Sequence, residues 1–242
     1  MSFRDCHFES GALDALHDVK RPITLVFQRC ALPPSGLGEL DDCDCVGALR
    51  VLRDTPVDNA ALAGLNMLPN LWAFQVNSPA VTDAGVRFLA NCPLLVELHL
   101  DDTALDDAGL VKILDAHELT WLDVAGTKIT DNAMGAIGRH THLRRLRIAG
   151  CAITNTGLAR IGKLNTLTAL DISGTEITDD GVKAISGLGA IEDLGFAGTT
   201  VTDNCLTYLS ALRHLRTIDN RGTRLSRTAV ASALGEAVSL SE

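Results

Sequence analysis

The sequence predicts an α/β solenoid built from repeats of strand, turn and short helix. Three observations predict it. The chain repeats at 24 residues: Leu167–Asp179 reads LTALDISGTEITD and Leu119–Asp131 reads LTWLDVAGTKITD, 48 residues or two periods apart. A fixed period of roughly 20–50 residues is the mark of a solenoid. Each unit opens with period-two apolar alternation, which reads as a strand. Each then carries a helix N-cap signature followed by apolar residues at helical spacing.

Taking the first aliphatic residue of a unit as slot 0, units begin near Pro22, Gly47, Leu71, Leu95, Leu119, Leu143, Leu167, Ile191 and Leu215. The first interval is 25 and the others 24, and the first two units lack the leading aliphatic residue. Nine repeats are therefore expected over 22–225, the first two degenerate, as terminal repeats are. Residues 1–21 are expected to form an N-terminal capping helix, from the spacing of Ala12, Leu13, Leu16 and Val19. Residues 226–242 are expected to supply a closing helix, Ala229–Val238, and a tail. Each repeat buries only against its neighbours, so both ends of a single domain need covering.

The elements follow slot by slot. Slots 3 and 5, as Leu122 and Val124, face inward, and slots 1, 2, 4, 6 and 7 face outward. Slot 7 is glycine at Gly126, Gly150, Gly174, Gly198 and Gly222, which predicts a turn with positive φ. Slot 8 is mostly threonine or cysteine, a small group able to hydrogen-bond backbone in a buried turn, with Pro79 the exception. Slot 10 is aliphatic throughout. The Thr-Asp pairs Thr82-Asp83, Thr130-Asp131, Thr178-Asp179 and Thr202-Asp203 read as an N-cap followed by a carboxylate meeting the helix dipole.

The running pattern L-x-x-L-x-L-x-x-(T/C)-x-I-T-D-x-G-L, together with LANCPLL at Leu89–Leu95, resembles the leucine-rich repeat family over about Pro22 to Val230. It is most similar to the cysteine-containing subtype found in F-box proteins and bacterial chains, without a recognisable F-box. The resemblance implies a right-handed horseshoe arc, its parallel sheet concave and its helices convex. Nine strands at about 4.8 Å would line roughly 38 Å of that arc.

Composition narrows the functional classes. The net charge of -9, from 30 acidic and 21 basic residues, disfavours nucleic acid, whose binding draws on phosphate neutralisation. No run is apolar enough to span a bilayer, so no membrane partner is expected. Seven cysteines in no framework pattern point to a reducing, cytoplasmic setting, although a leaderless export route would leave no mark. The Ala- and Gly-rich composition suits a bacterial source. Cys43-x-Cys45 lacks the second pair a zinc ribbon needs, and His140-x-His142 has no third ligand assured. Cys92 and Cys205 read as buried small hydrophobes, and Cys30 and Cys151 fill slot 8. His99, Asp101 and Asp123 offer acid–base groups, but no nucleophile or oxyanion-hole motif accompanies them. No cofactor and no enzymatic activity are expected.

Both tryptophans, Trp72 and Trp121, fall on outward slots. The candidate partner-binding residues are Trp72, Glu97, His99, Asp101, Trp121, Asp123, Arg145 and Arg147, since Trp and Arg dominate binding hot spots. Arg145 is expected beside Trp121 in cation–π reach, with Glu97 on its other side. An ion-pair ladder of Asp123, Arg147 and Asp171 is the purely structural reading of the same face. The earlier repeats lack the slot-7 glycines, which draws the expected footprint toward repeats three to six. The expected function is a monomeric, non-enzymatic scaffold binding a protein through its concave face. Alternatives are a substrate-recognition module of a ubiquitin-ligase-like assembly, a bacterial effector acting on a host protein, or a carbohydrate or small-ligand binder using Trp72 and Trp121.

Overall fold

The computed structural model describes residues 1–235 and 238–240, and its chain divides into two compact units, Met1–Leu119 and Thr120–Glu242. The first unit carries strands β1 (Ser2–Arg4), β2 (Ile23–Gln28), β3 (Val46–Val51), β4 (Ala73–Val76) and β5 (Glu97–His99). The second carries β6 (Trp121–Asp123), β7 (Arg145–Arg147), β8 (Ala169–Asp171), β9 (Asp193–Gly195), β10 (Thr217–Asp219) and β11 (Ser239–Leu240). Within each unit the order in the sheet follows the order in the chain, and the pairings are parallel. A short α- or 3-10 helix follows most strands, as expected of strand–turn–helix repeats. Among the described residues, no helix is long and apolar enough to cross a membrane.

The alternation predicted from sequence sets the core. Slot 3, as Phe74, Leu98, Leu122, Leu146 and Leu170, is buried, and so is slot 5, as Val76, Leu100, Val124, Ile148 and Ile172. Slot 10 packs beneath the helices, with Val81, Ile129, Ile153, Ile177 and Val201 fully covered. The slot-8 threonines close the strand exit: the hydroxyls of Thr103, Thr127 and Thr199 donate to the slot-5 carbonyls of Leu100, Val124 and Phe196 at 2.7, 2.6 and 2.7 Å. Cys151 occupies the same slot and donates to the Val124 carbonyl at 3.1 Å. In the last repeat slot 5 is Asn220, whose side-chain amide donates to the Leu225 carbonyl at 3.1 Å.

One strand departs from the expected register. Leu25, Val26 and Phe27 pair with Leu49, Arg50 and Val51, and the last three pair with Phe74, Gln75 and Val76. Slot 0 of the second repeat is therefore Val46, not Gly47. Leu49 and Val51, expected to face outward, are fully buried, and Arg50 takes the outward place. The extra residue of this repeat lies after the strand. Val51 is four residues from Thr55, whereas Leu100 is three from Thr103.

Both ends also differ from expectation. Residues 1–21 hold the strand β1 and a 3-10 turn at Asp14–Asp18 where a capping helix was expected. The helical spacing is real, since Leu13 and Leu16 are buried, but one five-residue 3-10 turn with Leu13 at its N-cap suffices to seat them. Phe3, Phe8 and Phe27 cluster at centroid distances of 5.1–5.5 Å, Phe3 stacked on Phe27 and Phe8 edge-on to both, and seal this end. The closing helix is Arg227–Leu234, capped by Ser226, and Gly235 ends it with φ 80°. The expected extension to Val238 passes through residues 236–237, which lie outside the described residues, as do 241–242; β11 then pairs with β10.

The Thr-Asp motif does more than cap. Thr82, Thr130, Thr178 and Thr202 are N-caps, each accepting from the amide two residues on. The first-turn carboxylate then reaches the next repeat. Asp131 accepts from the Thr154 amide at 2.9 Å and hydroxyl at 2.6 Å, and Asp179 binds Thr202 at 2.8 and 2.7 Å in the same way. Asn59 and Asn155 hold Thr82 and Thr178 likewise. Gly157 and Gly181, each three residues after a capping threonine, pack against this ladder. A Cβ on Gly157 would lie 2.0 Å from Asp131 Oδ1, and one on Gly181 would lie 2.5 Å from Asn155 Oδ1.

Candidate functional site

In the first unit the outward face is anchored by Trp72, exposed at 39%. Its amide donates to the Gly47 carbonyl at 2.8 Å, and its indole lies against the same glycine, where a Cβ would meet Nε1 at 3.0 Å. The absence of a side chain at Gly47 is what lets the ring lie down. Glu97 pairs with Ala73 and His99 with Gln75, so both lie on the outward rows, half-buried. Asp101 is bound within the chain: Asn77 donates to it, and Arg53 bridges it at 3.1 Å and also meets Asp102. The Asp101 hydrogen bond and the Asp102 carboxylate hold the Arg53 guanidinium pKa above its ordinary value.

In the second unit two outward rows run across the strands. Trp121, Arg145, Ala169, Asp193 and Thr217 form one, and Asp123, Arg147, Asp171, Gly195 and Asp219 the other. The Arg145 guanidinium carbon lies 4.7 Å from the Trp121 ring centroid, the cation–π contact that the repeat register predicts. Arg147 donates to Asp123 at 2.7 Å and to Asp171 at 3.3 Å, which is the expected ion-pair ladder. Burial of Arg147 works to lower its pKa, but Asp123 and Asp171 outweigh that and raise it.

The slot-4 aspartates also have a local task. Asp123, Asp171 and Asp219 accept from the amides two residues on, at 3.2, 3.1 and 3.3 Å, which satisfies the strand exit. Asp219 is further gripped by Arg221, at 2.9 Å through Nε, and that hydrogen bond holds its carboxyl below the usual range. Asp123 is only 3% exposed, covered by Arg147 from the next strand. Of the eight candidate residues, Trp72, Arg145 and Arg147 are exposed, Glu97, His99, Asp101 and Trp121 are half-buried, and Asp123 is buried.

A groove of about 430 Å³ opens on the second unit's face, between Trp121 and Arg145 at one end and Asp193, Thr217 and Asp219 at the other. Ala169 and Gly195 contribute almost no side chain to it, which gives the groove its depth. Gly195 is small for a reason: a Cβ there would lie 2.9 Å from Asp171 Oδ1. This groove lies in repeats five to nine and shares repeats five and six with the footprint expected over repeats three to six. Its sequence signal was two successive small residues, Ala169 and Gly195, on neighbouring outward rows.

The cysteines offer no comparable site. Cys92 and Cys205 are fully buried, and burial pushes their thiols up to about 11 and about 12. Cys43 and Cys45 Sγ atoms sit 3.2 Å apart in the core, and burial raises Cys45 to about 12. Among the described residues, no group of three or more His, Cys, Asp or Glu side chains is arranged to hold a metal ion.

Repeating parallel strands, turn glycines and capped short helices define an α/β repeat solenoid. A family profile described as Leucine Rich repeat matches residues 91–114, 139–162 and 163–186. Among solved structures the chain is similar to an internalin (InlF) from Listeria monocytogenes, at 15% identity and TM-score 0.60, over 95% of this chain and 75% of that one. Internalin C2 from the same species is 19% identical with TM-score 0.48, over 76% and 84% of the two chains. No curated protein matches. The chain thus contains leucine-rich repeats and has the α/β leucine-rich-repeat solenoid fold.

Proposed function

We propose that this chain is a non-enzymatic protein-interaction module that binds a protein partner on its outward strand face. The observation that carries the reading is the Arg145–Trp121 stack at the end of the second unit's groove. Trp and Arg are the residues most enriched at interface hot spots, and stacking removes rotamer freedom from Arg145 before binding. Arg147, positioned by buried Asp123, is the second contact on this unit. Trp72, Glu97 and His99 form a separate contact patch on the first unit, with Asp101 holding Arg53. The slot-8 cysteines Cys30 and Cys151 support assigning the repeats to the cysteine-containing subtype. The module acts as a monomer in the cytoplasm.

The test is affinity capture from a lysate of source cells, with wild type beside a Trp121→Asp/Arg145→Glu double variant whose folding circular dichroism has verified. A protein retained by wild type and lost by the variant is the expected result. Identical eluates would remove the second unit's face as the binding surface.

A further inference from the structure

We propose that the groove of the second unit receives an extended segment of the partner protein carrying a carboxylate and, three residues away, a lysine or arginine. This rests on the reading that the face binds protein, and it specifies the partner's chemistry.

The charges of the groove sort themselves. Arg147 is engaged by Asp123 and Asp171, and Asp219 by Arg221. Among the described residues, Arg145 and Asp193 are the groove-lining charges in no ion pair within the chain. Both are exposed. Arg145 lies over the Trp121 ring, which restrains its side chain, and its planar guanidinium suits a carboxylate. Asp193 is oriented by the Thr217 hydroxyl and stands one strand from Asp219, so the far end of the groove is anionic.

Spacing selects the conformation. Arg145 and Asp193 share a row and are separated by Ala169, that is, by two strand spacings. Two spacings are about 9.6 Å. A polyproline II segment crossing the strands advances about 3.1 Å per residue with three residues per turn, so residues three apart share a face about 9.3 Å apart. A β-strand puts same-face residues roughly 6.7 or 13 Å apart and misses one charge or the other. A helix, about 10–12 Å wide with its side chains, is too broad for the gap that Ala169 and Gly195 leave. The aliphatic stem of the basic residue would lie on that gap while its head reaches Asp193.

The test is panning of a phage-displayed library of random linear peptides against the intact chain, an Asp193→Lys variant and a Trp121→Ser/Arg145→Ser variant. Wild type should enrich clones in which an acidic and a basic residue stand three apart, several-fold over the unselected library. Asp193→Lys should shift the enrichment to pairs of acidic residues at the same spacing. Clones that need Trp121 and Arg145 but show no charge pair at that spacing would overturn this inference and leave the face as a binding surface. Clones bound equally by the Trp121→Ser/Arg145→Ser variant would overturn the reading of the face itself. Failure of any clone to enrich on wild type would overturn the inference.

Discussion

The two units close their strands differently. In the second, every slot-7 residue is glycine, and Gly126, Gly150, Gly174, Gly198 and Gly222 share φ of 66–71°. In the first, Arg29 and Asp102 hold the same left-handed conformation with φ of 51° and 56°. An L side chain in that conformation is disfavoured by roughly 1–2 kcal/mol. Both residues sit in ion pairs, Arg29 with Asp5 and Asp102 with Arg53. The second unit therefore has a bare rim and concentrates its charge on the strand rows, where the groove lies. The first distributes charge along the rim, clamped by internal pairs.

The regular ladder of the second unit is the feature most easily broken. Gly157→Val should lower stability by about 3 kcal/mol, because its Cβ would fall 2.0 Å from Asp131 Oδ1 and the α-helix start must shift to take it, and urea denaturation would read it. At the equivalent position two repeats on the chain already accommodates Cys205, so Cys205→Ala should change stability by under about 1.5 kcal/mol. Arg147→Ala should cost about 2 kcal/mol, since Asp123 is left buried without its cation. Arg53→Ala in the first unit removes an exposed arginine from Asp101 and Asp102 and should cost about 0.5 kcal/mol. A loss for Arg53→Ala as large as that for Arg147→Ala would erase the distinction between the units.

Smaller effects sharpen the same contrast. Thr175→Val leaves the Ile172 carbonyl without its 2.5 Å hydroxyl donor and should cost about 1–2 kcal/mol by thermal unfolding. Proline already stands at the equivalent slot as Pro79, where the Ser78 hydroxyl instead donates to the Val57 carbonyl at 2.7 Å. The smallest effect is a pH dependence in the first unit. Burial depresses the His117 pKa, partly opposed by its hydrogen bond to the Leu89 carbonyl. Its contribution is complete above the unfolded value of about 6.5 and is lost as pH falls through the lower folded value. The urea midpoint should fall on acidification below about pH 6.5, and His117→Gln should flatten that slope.

Much of the fold was legible because it is repeated. Slots 3, 5 and 10 recur with the same chemistry, so burial at Leu122, Val124 and Ile129 follows from any one repeat. The register of β3 was not legible, since a period reports the length of a repeat and not where its extra residue sits. With Val46 and Gly47 both small enough to open the unit, only pairing to Phe27 and Val76 decides. The strand β1 spans three residues, too few for alternation to declare itself. At the site, the outward rows and the Trp121–Arg145 contact were readable from register alone. Burial of Asp123 was not, because it depends on Arg147 lying across it from the next strand. Nor was the groove, whose depth comes from the side chains missing at Ala169 and Gly195.

The most direct test of the account is the affinity of a captured partner for two variants, one on each unit. Trp121→Asp/Arg145→Glu should weaken binding about a hundredfold, as loss of a hot-spot pair does, while Trp72→Asp should weaken it less than about tenfold. An unchanged affinity for the first variant, or a larger loss for the second, would contradict the assignment of the principal binding surface to the groove face of the second unit.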